Sequence, residues 1–544
     1  MTEENEPITQ FPAPNTQPIY FPPPAYQWEP APPAPPAPPL PATLADVIVA
    51  LLAFIMGFCF WEWEVLSQDF SGISATLFFI VLLAICFVYL WQKGIKQNKA
   101  SLVMLAVAIL GACPFVLNGA RDINALLLLF EGCMCLLWVA YSCRTVIAPY
   151  LSGFVIGDLF SQVFIVPFGN FGRAFASIIK GVRSSNKEGR RIWKTIAIAL
   201  IGLVVTIPIF AIVIVLLINS DDGFYNFTKN IFENIDMDRI VSYGFEFLGG
   251  IPIACYVFGA MYGNAYKRFT GALKYESLNK GFQKAHALPR VALYAPLVCF
   301  VVVYIVYFIT MGSYLFSALN GELPASFTYA QYARQGFFEL CGVAFINLLI
   351  LAITYLLARR EASSFPVALR ILTGSISLLS CLLIVTAMSK MALYIGTYGL
   401  SPLRVYTSWF MVLLMFTFLI LCIWHIRPFN AAQPIIVVTI ILTLALGLTN
   451  TDGIVARYNV DRYLGGQTTL IDVDLLARLN DGALPPLYDL AERAPDAEVR
   501  KEAREAIRNY PDYSHISMLG DPASRDRWVN WNVQYQLAEQ RAVK

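Results

Sequence analysis

The chain has 544 residues, 57% of them hydrophobic and 14% charged, with a net charge of +2. A soluble domain carries about a quarter charged residues, so this balance excludes an ordinary soluble fold and points to a membrane protein. The near-neutral charge gives no footing for nucleic acid, and His286, His425 and His515 lack metal-ligand spacing, so neither a metal nor another cofactor is expected.

Residues 1–43 form a proline-rich tail, including Pro32–Pro39, with no lysine or arginine. Such a segment cannot bury a core and favours extended polyproline II. Two readings stand for this disordered cytoplasmic tail: a plain spacer, or a ligand for a proline-reading cytoplasmic protein partner. Without the basic start of a secretory signal, the first apolar run is expected to stay as a span.

Eleven apolar runs are long enough, or nearly so, to cross about 30 Å of hydrocarbon. They lie near 44–61, 73–91, 100–117, 123–142, 194–218, 240–263, 291–311, 337–357, 368–389, 405–425 and 434–449. With the N-terminus inside, the cytoplasmic loops hold 21 lysines and arginines against 6 in the opposite loops, before the C-terminal segment. That asymmetry fixes N-in, and an odd number of spans puts the C-terminus outside. The expected fold is therefore all-α: a transmembrane bundle over 44–449 with a small helical extracytoplasmic cap over 450–544.

Between the fourth and fifth spans, Phe154–Gly181 is interrupted by Pro167, Gly169 and Gly172. It reads as a cytoplasmic interfacial or re-entrant segment, held by the basic residues that follow. All eleven cysteines lie in or beside apolar runs, and none follows Cys422, so no external disulfide framework is expected. The 450–544 segment carries twelve Lys and Arg against fifteen Asp and Glu. Asp472 can cap one of its helices, and Pro495-Asp-Ala-Glu498 can start a second that ends before Pro511. A last helix would align Trp528, Trp531, Tyr535 and Ala538, either in the cap's own core or at the membrane interface. Arg457 and Asp461 are expected to share partners with the bundle.

Ionisable residues inside spans are costly and mark candidate sites. Glu131, Glu246, Glu339 and Lys390 all fall in the outer half of the bilayer, and Arg334 and Arg404 lie in the loops on the same side. No acid or base of comparable depth is read in the inner half. Each alone is explained by an interhelical bond that sets packing. Together they suggest a polar outer cavity for a small polar solute or a lipid headgroup, used for transport or envelope sensing. Helix breaks at Pro208, Gly249–Pro252 and Pro296 add to this, since they free backbone groups that need a partner or a wet cavity. An alternative site is Glu62 and Glu64 at the outer end of the first span, where a membrane transferase would handle a lipid-linked substrate. A third reading is a membrane scaffold or regulator without a ligand, its charges closed into ion pairs. No nucleotide, dinucleotide, zinc-protease or serine-nucleophile motif is present, which leans away from an enzyme.

Five stretches carry a resemblance: Ile218–Phe227, Tyr332-Ala-Arg-Gln-Gly-Phe-Phe-Glu-Leu340, Tyr398-Gly-Leu-Ser-Pro-Leu-Arg-Val-Tyr406, Asn450–Asn459 and Trp528-Val-Asn-Trp-Asn532. Together they resemble a bacterial family of multi-pass membrane proteins catalogued as a domain of unknown function, in pieces over 190–544. The resemblance implies a bacterial plasma-membrane protein and no particular activity.

Overall fold

The computed structural model describes residues 43–63, 72–118, 123–148, 151–184, 202, 206, 213, 237–271, 273, 275, 276, 278, 280–281, 289–319, 337–358, 366–513, 532–534 and 536–537. The tail, most of the expected 194–218 span, Pro208, Glu64, Arg334 and the tryptophans at 528 and 531 lie outside these residues.

Long apolar runs become long helices because a bilayer leaves no other partner for the backbone N–H and C=O groups. The first four are α1 (Leu44–Glu62), α2 (Ile73–Gln92), α3 (Lys99–Asn118) and α4 (Asn124–Cys143). After the interrupted segment come α8 (Met237–Ala265), α9 (Arg290–Leu319), α10 (Phe337–Leu357), α11 (Val367–Tyr398), α12 (Pro402–Ile426) and α13 (Ala432–Leu448). Among the described residues, nine helices are long and apolar enough to cross a membrane, and two bent pairs raise the number to eleven. The protein is an all-helical, multi-pass membrane protein, and its spans contact the lipid bilayer.

One bent pair is the interrupted stretch. It forms α5 (Val155–Phe160), a π-helical turn Ser161–Ile165, α6 (Val166–Gly169) and, after a 46° bend, α7 (Arg173–Ser184). Small residues let it press against α8. A Cβ on Gly259 would lie 2.6 Å from the Pro167 carbonyl oxygen, and one on Gly263 would lie 2.5 Å from the Asn170 amide. Phe54, well inside α1, meets Phe175 of α7 at 5.4 Å between ring centres, so the stretch packs into the bundle.

Close packing also explains the glycine pair of α8. The helix runs unbroken through Pro252, and α9 through Pro296, so neither proline ends its helix. Gly250 instead meets Gly57 of α1: a Cβ on Gly250 would stand 2.7 Å from the Gly57 carbonyl oxygen. In lipid, helices associate through such close backbone approach rather than through a hydrophobic drive.

Two cores result. One joins α1 to α4 with α13, around Phe78, Phe79, Phe115 and Leu127. The other joins α9 to α12, around Leu297, Ile384, Met411 and Phe418. Tyr304, Asn347 and Ser380 cross-link the second core: the tyrosine hydroxyl donates to the Asn347 oxygen at 2.5 Å, and the Asn347 amide donates to Ser380 at 2.8 Å.

A 63° bend after α13 leads to α14 (Thr451–Leu464), where Asn450 caps the new helix by accepting from the Gly453 amide at 2.9 Å. Then follow α15 (Val473–Ala477), capped by Asp472 as its sequence implies, α16 (Leu484–Arg493) and α17 (Ala497–Tyr513). The last of these passes through Pro511 rather than stopping before it. These helices share a core of Val455, Val460, Leu476, Leu487 and Leu490, on which Leu400 and Val405 of the bundle also pack.

Candidate functional site

The turn between α11 and α12 is held from the C-terminal helices. Gly399 ends α11 with φ +77°, a conformation that favours glycine, and a side chain there would collide with Asn459. Arg462 donates to the Gly396 carbonyl at 2.6 Å, an orphan acceptor at the helix end, and at 3.1 Å to the Ile395 carbonyl, which also accepts from the Gly399 N–H. Arg404 donates to the Tyr398 carbonyl at 3.1 Å and also to Gly399, with its guanidinium 4.1 Å from the Tyr394 ring centre. Arg457 pairs within the C-terminal helices, with Asp489 at 2.9 Å and Asp461 at 3.8 Å.

Beside this latch opens a cavity of about 940 Å³. Its floor is the end of α11 and the start of α12, and its walls come from 468–478 and α17. Arg404, Arg462 and Arg478 bring positive charge into it, and Asp472, Asp474, Glu502 and Glu505 bring negative charge. Among the described residues, Arg478, Asp474, Glu502 and Glu505 have no ion-pair partner in the structure. The size is that of a small-molecule site, and the mixed charge suits a polar ligand.

Of the sequence candidates, Arg404 lines this cavity; Glu131, Glu246, Glu339 and Lys390 are not among its lining residues. Glu131 is fully buried on α4, where its Oε1 accepts from the Cys135 thiol at 3.4 Å. Its Oε2 lodges against Gly111 of α3 and has no hydrogen-bond partner. Glu246 is half-buried on α8. Glu339 is exposed in the first turn of α10, and its charge acts on half-buried Lys390 of the adjoining α11. Glu62 is half-buried at the last residue of α1.

A second polar centre, at the other end of the bundle, corrects the reading that no comparable charge lies there. Asp46, fully buried in the first turn of α1, accepts from Tyr89 of α2 at 2.8 Å and from Tyr266, just past α8, at 2.7 Å. Lys93 pairs with it at 2.7 Å and also donates to Thr43 and Tyr266. Thr43 and Asp46 form a reciprocal capping box. The spacing Thr43-x-x-Asp46 before an apolar run is the signal that could have found it, since such a pair marks a helix start. Both carboxylate oxygens of this fully buried residue are taken up by groups from three helices, so it acts as a clamp.

A family described as "Domain of unknown function (DUF4153)" matches residues 104–490. The match begins earlier than the quoted motifs suggest and ends before Trp528. No curated protein and no solved structure matches the chain. A match over that much of its length places the chain in this family: it belongs to DUF4153, multi-pass membrane proteins of unknown function.

Proposed function

We propose that the chain captures a small polar solute or a lipid headgroup on the outer face of a bacterial plasma membrane, for envelope sensing or as the first step of transport. The observation that supports this is the cavity at the seam between the α11–α12 turn and the C-terminal helices, with unpaired charges of both signs. Loop charge supports the outer placement, since the same orientation puts the basic loops inside. Arg404 and Arg462 serve both the seam and the cavity. A ligand that drew on their remaining N–H groups would therefore alter the hold of the C-terminal helices on the turn.

A thermal-shift screen of the purified full chain tests this reading, using amino acids, sugar phosphates, short peptides and phospholipids. The expected result is saturable stabilisation by one class, abolished by Arg478→Glu. Stabilisation by none, or the same stabilisation in the variant, contradicts it.

A further inference from the structure

The cavity's charges are ordered along the direction that leads away from the membrane. Arg404 stands in the first turn of a span, and Arg462 is bonded to the last turn of the neighbouring span. Glu502 and Glu505 belong to α17, which packs on α15 and α16, whereas α14 is the layer's contact with α12. Arg404 and Arg462 thus lie nearest the spans and Glu502 and Glu505 further out, while Arg478, Asp472 and Asp474 share the wall between them. A phospholipid with an amine headgroup has the complementary order, phosphate next to the acyl chains and ammonium beyond it.

Depth agrees with this order. The 25 residues of α12 reach about 37 Å, more than the ~30 Å of hydrocarbon and short of the ~40–45 Å that includes both headgroup layers. A centred α12 would put Arg404 at headgroup level. The cavity is also bordered by apolar surface: Leu470 in its wall is 84% exposed and Tyr398 in its floor is 50% exposed. Leu403, beside Arg404, is exposed as well. A water-filled site for a soluble ligand needs no such rim, while a lipid tail does.

Building on the reading of this cavity as the binding site, we infer that its ligand is the headgroup of an outer-leaflet phospholipid bearing a primary amine, entering sideways past Tyr398 and Leu470. Guanidinium groups suit the phosphate. A primary ammonium brings three donors to the carboxylates of Asp474, Glu502 and Glu505. A quaternary ammonium would instead want an aromatic cage, and Tyr398 is the one aromatic residue in the described lining.

Native mass spectrometry of the full chain in detergent tests the inference with three probes: phosphatidylethanolamine, phosphatidylcholine with the same acyl chains, and soluble glycerophosphoethanolamine. The expected result is selective retention of phosphatidylethanolamine, reduced at least about tenfold by Arg478→Glu and by Glu502→Lys. Lys501→Glu, exposed and outside the lining, should leave it unchanged. Equal retention of phosphatidylcholine, or retention unmoved by either charge reversal, overturns the inference. If glycerophosphoethanolamine competes as well as the lipid, lateral lipid capture falls while the binding site stands. If no probe binds but the thermal-shift screen finds another solute, only this inference is lost; if both come out empty, both readings fall.

Discussion

The side-chain amide of Asn459 holds both main-chain groups of Leu400: its oxygen accepts from the Leu400 N–H at 2.8 Å, and its nitrogen donates to the Leu400 carbonyl at 2.8 Å. One side chain thus mimics a strand partner and closes the α11–α12 turn against α14. Asn459→Asp keeps the acceptor but loses the donor and brings a charge beside a carbonyl. Each lost bond is worth about 1 kcal/mol, with more for an orphaned buried group. The variant should lose roughly 2–3 kcal/mol, and limited proteolysis should cut within 450–513 at least tenfold faster. Unchanged proteolysis would show that the apolar contacts of Leu400 and Val405 suffice.

The Asp46 clamp should respond asymmetrically. Asp46→Ala leaves Lys93 with no carboxylate, and breaking a buried pair from one side costs about 3–5 kcal/mol. Removing both charges, with Asp46→Leu and Lys93→Met, should recover much of that loss. Unfolding in mixed detergent and SDS micelles measures both. A double variant as unstable as Asp46→Ala would mean that the tyrosine bonds dominate.

Gly57 and Gly250 set the distance between α1 and α8. Gly250→Val should prevent that approach, since its Cβ meets backbone rather than a flexible side chain. Overpacking of this kind costs about 1–3 kcal/mol or more, and size-exclusion chromatography should show aggregation and a lower yield. Gly132→Ala, where nothing lies within 4 Å of the added methyl, is the matched control.

Glu131 makes the opposite prediction. A buried carboxyl with one orphaned oxygen burdens the fold, so Glu131→Gln should equal the parent in stability or exceed it by about 1 kcal/mol. A drop of more than about 1 kcal/mol in micelle unfolding would indicate an ion partner for this carboxylate.

Orientation is open to direct labelling. Lys501→Cys places a thiol on an exposed position of α17 in a chain whose native cysteines have been replaced. A membrane-impermeant maleimide should label it in intact cells. Labelling only after lysis would reverse the assignment drawn from the loop charges.

The expected runs that fall among the described residues were legible because each is written locally. The run near 44–61 needs only its own length and polarity to be recognised, and its ends fall within a residue of the observed helix Leu44–Glu62. The cavity was not legible, because no single stretch contains it. It needs the end of α11, the 468–478 wall and α17 at once, and α17 is placed there by packing on α15 and α16. Arg404 was found as a lone outer-side charge beside a span, whereas Arg462 and Arg478 sit in polar sequence where a charge draws no attention. Asp46 was missed for a different reason. Two residues into a span it reads as a simple cap, and its partners Tyr89, Lys93 and Tyr266 declare themselves only once three helices meet.

The capping box of Thr43 and Asp46 has a mechanical consequence. Tension on the chain ahead of Thr43 would reach a carboxylate that also belongs to Tyr89, Lys93 and Tyr266, so the load would spread over three helices at once. Thr43 is thus anchored to α1, α2 and the end of α8 together rather than to α1 alone.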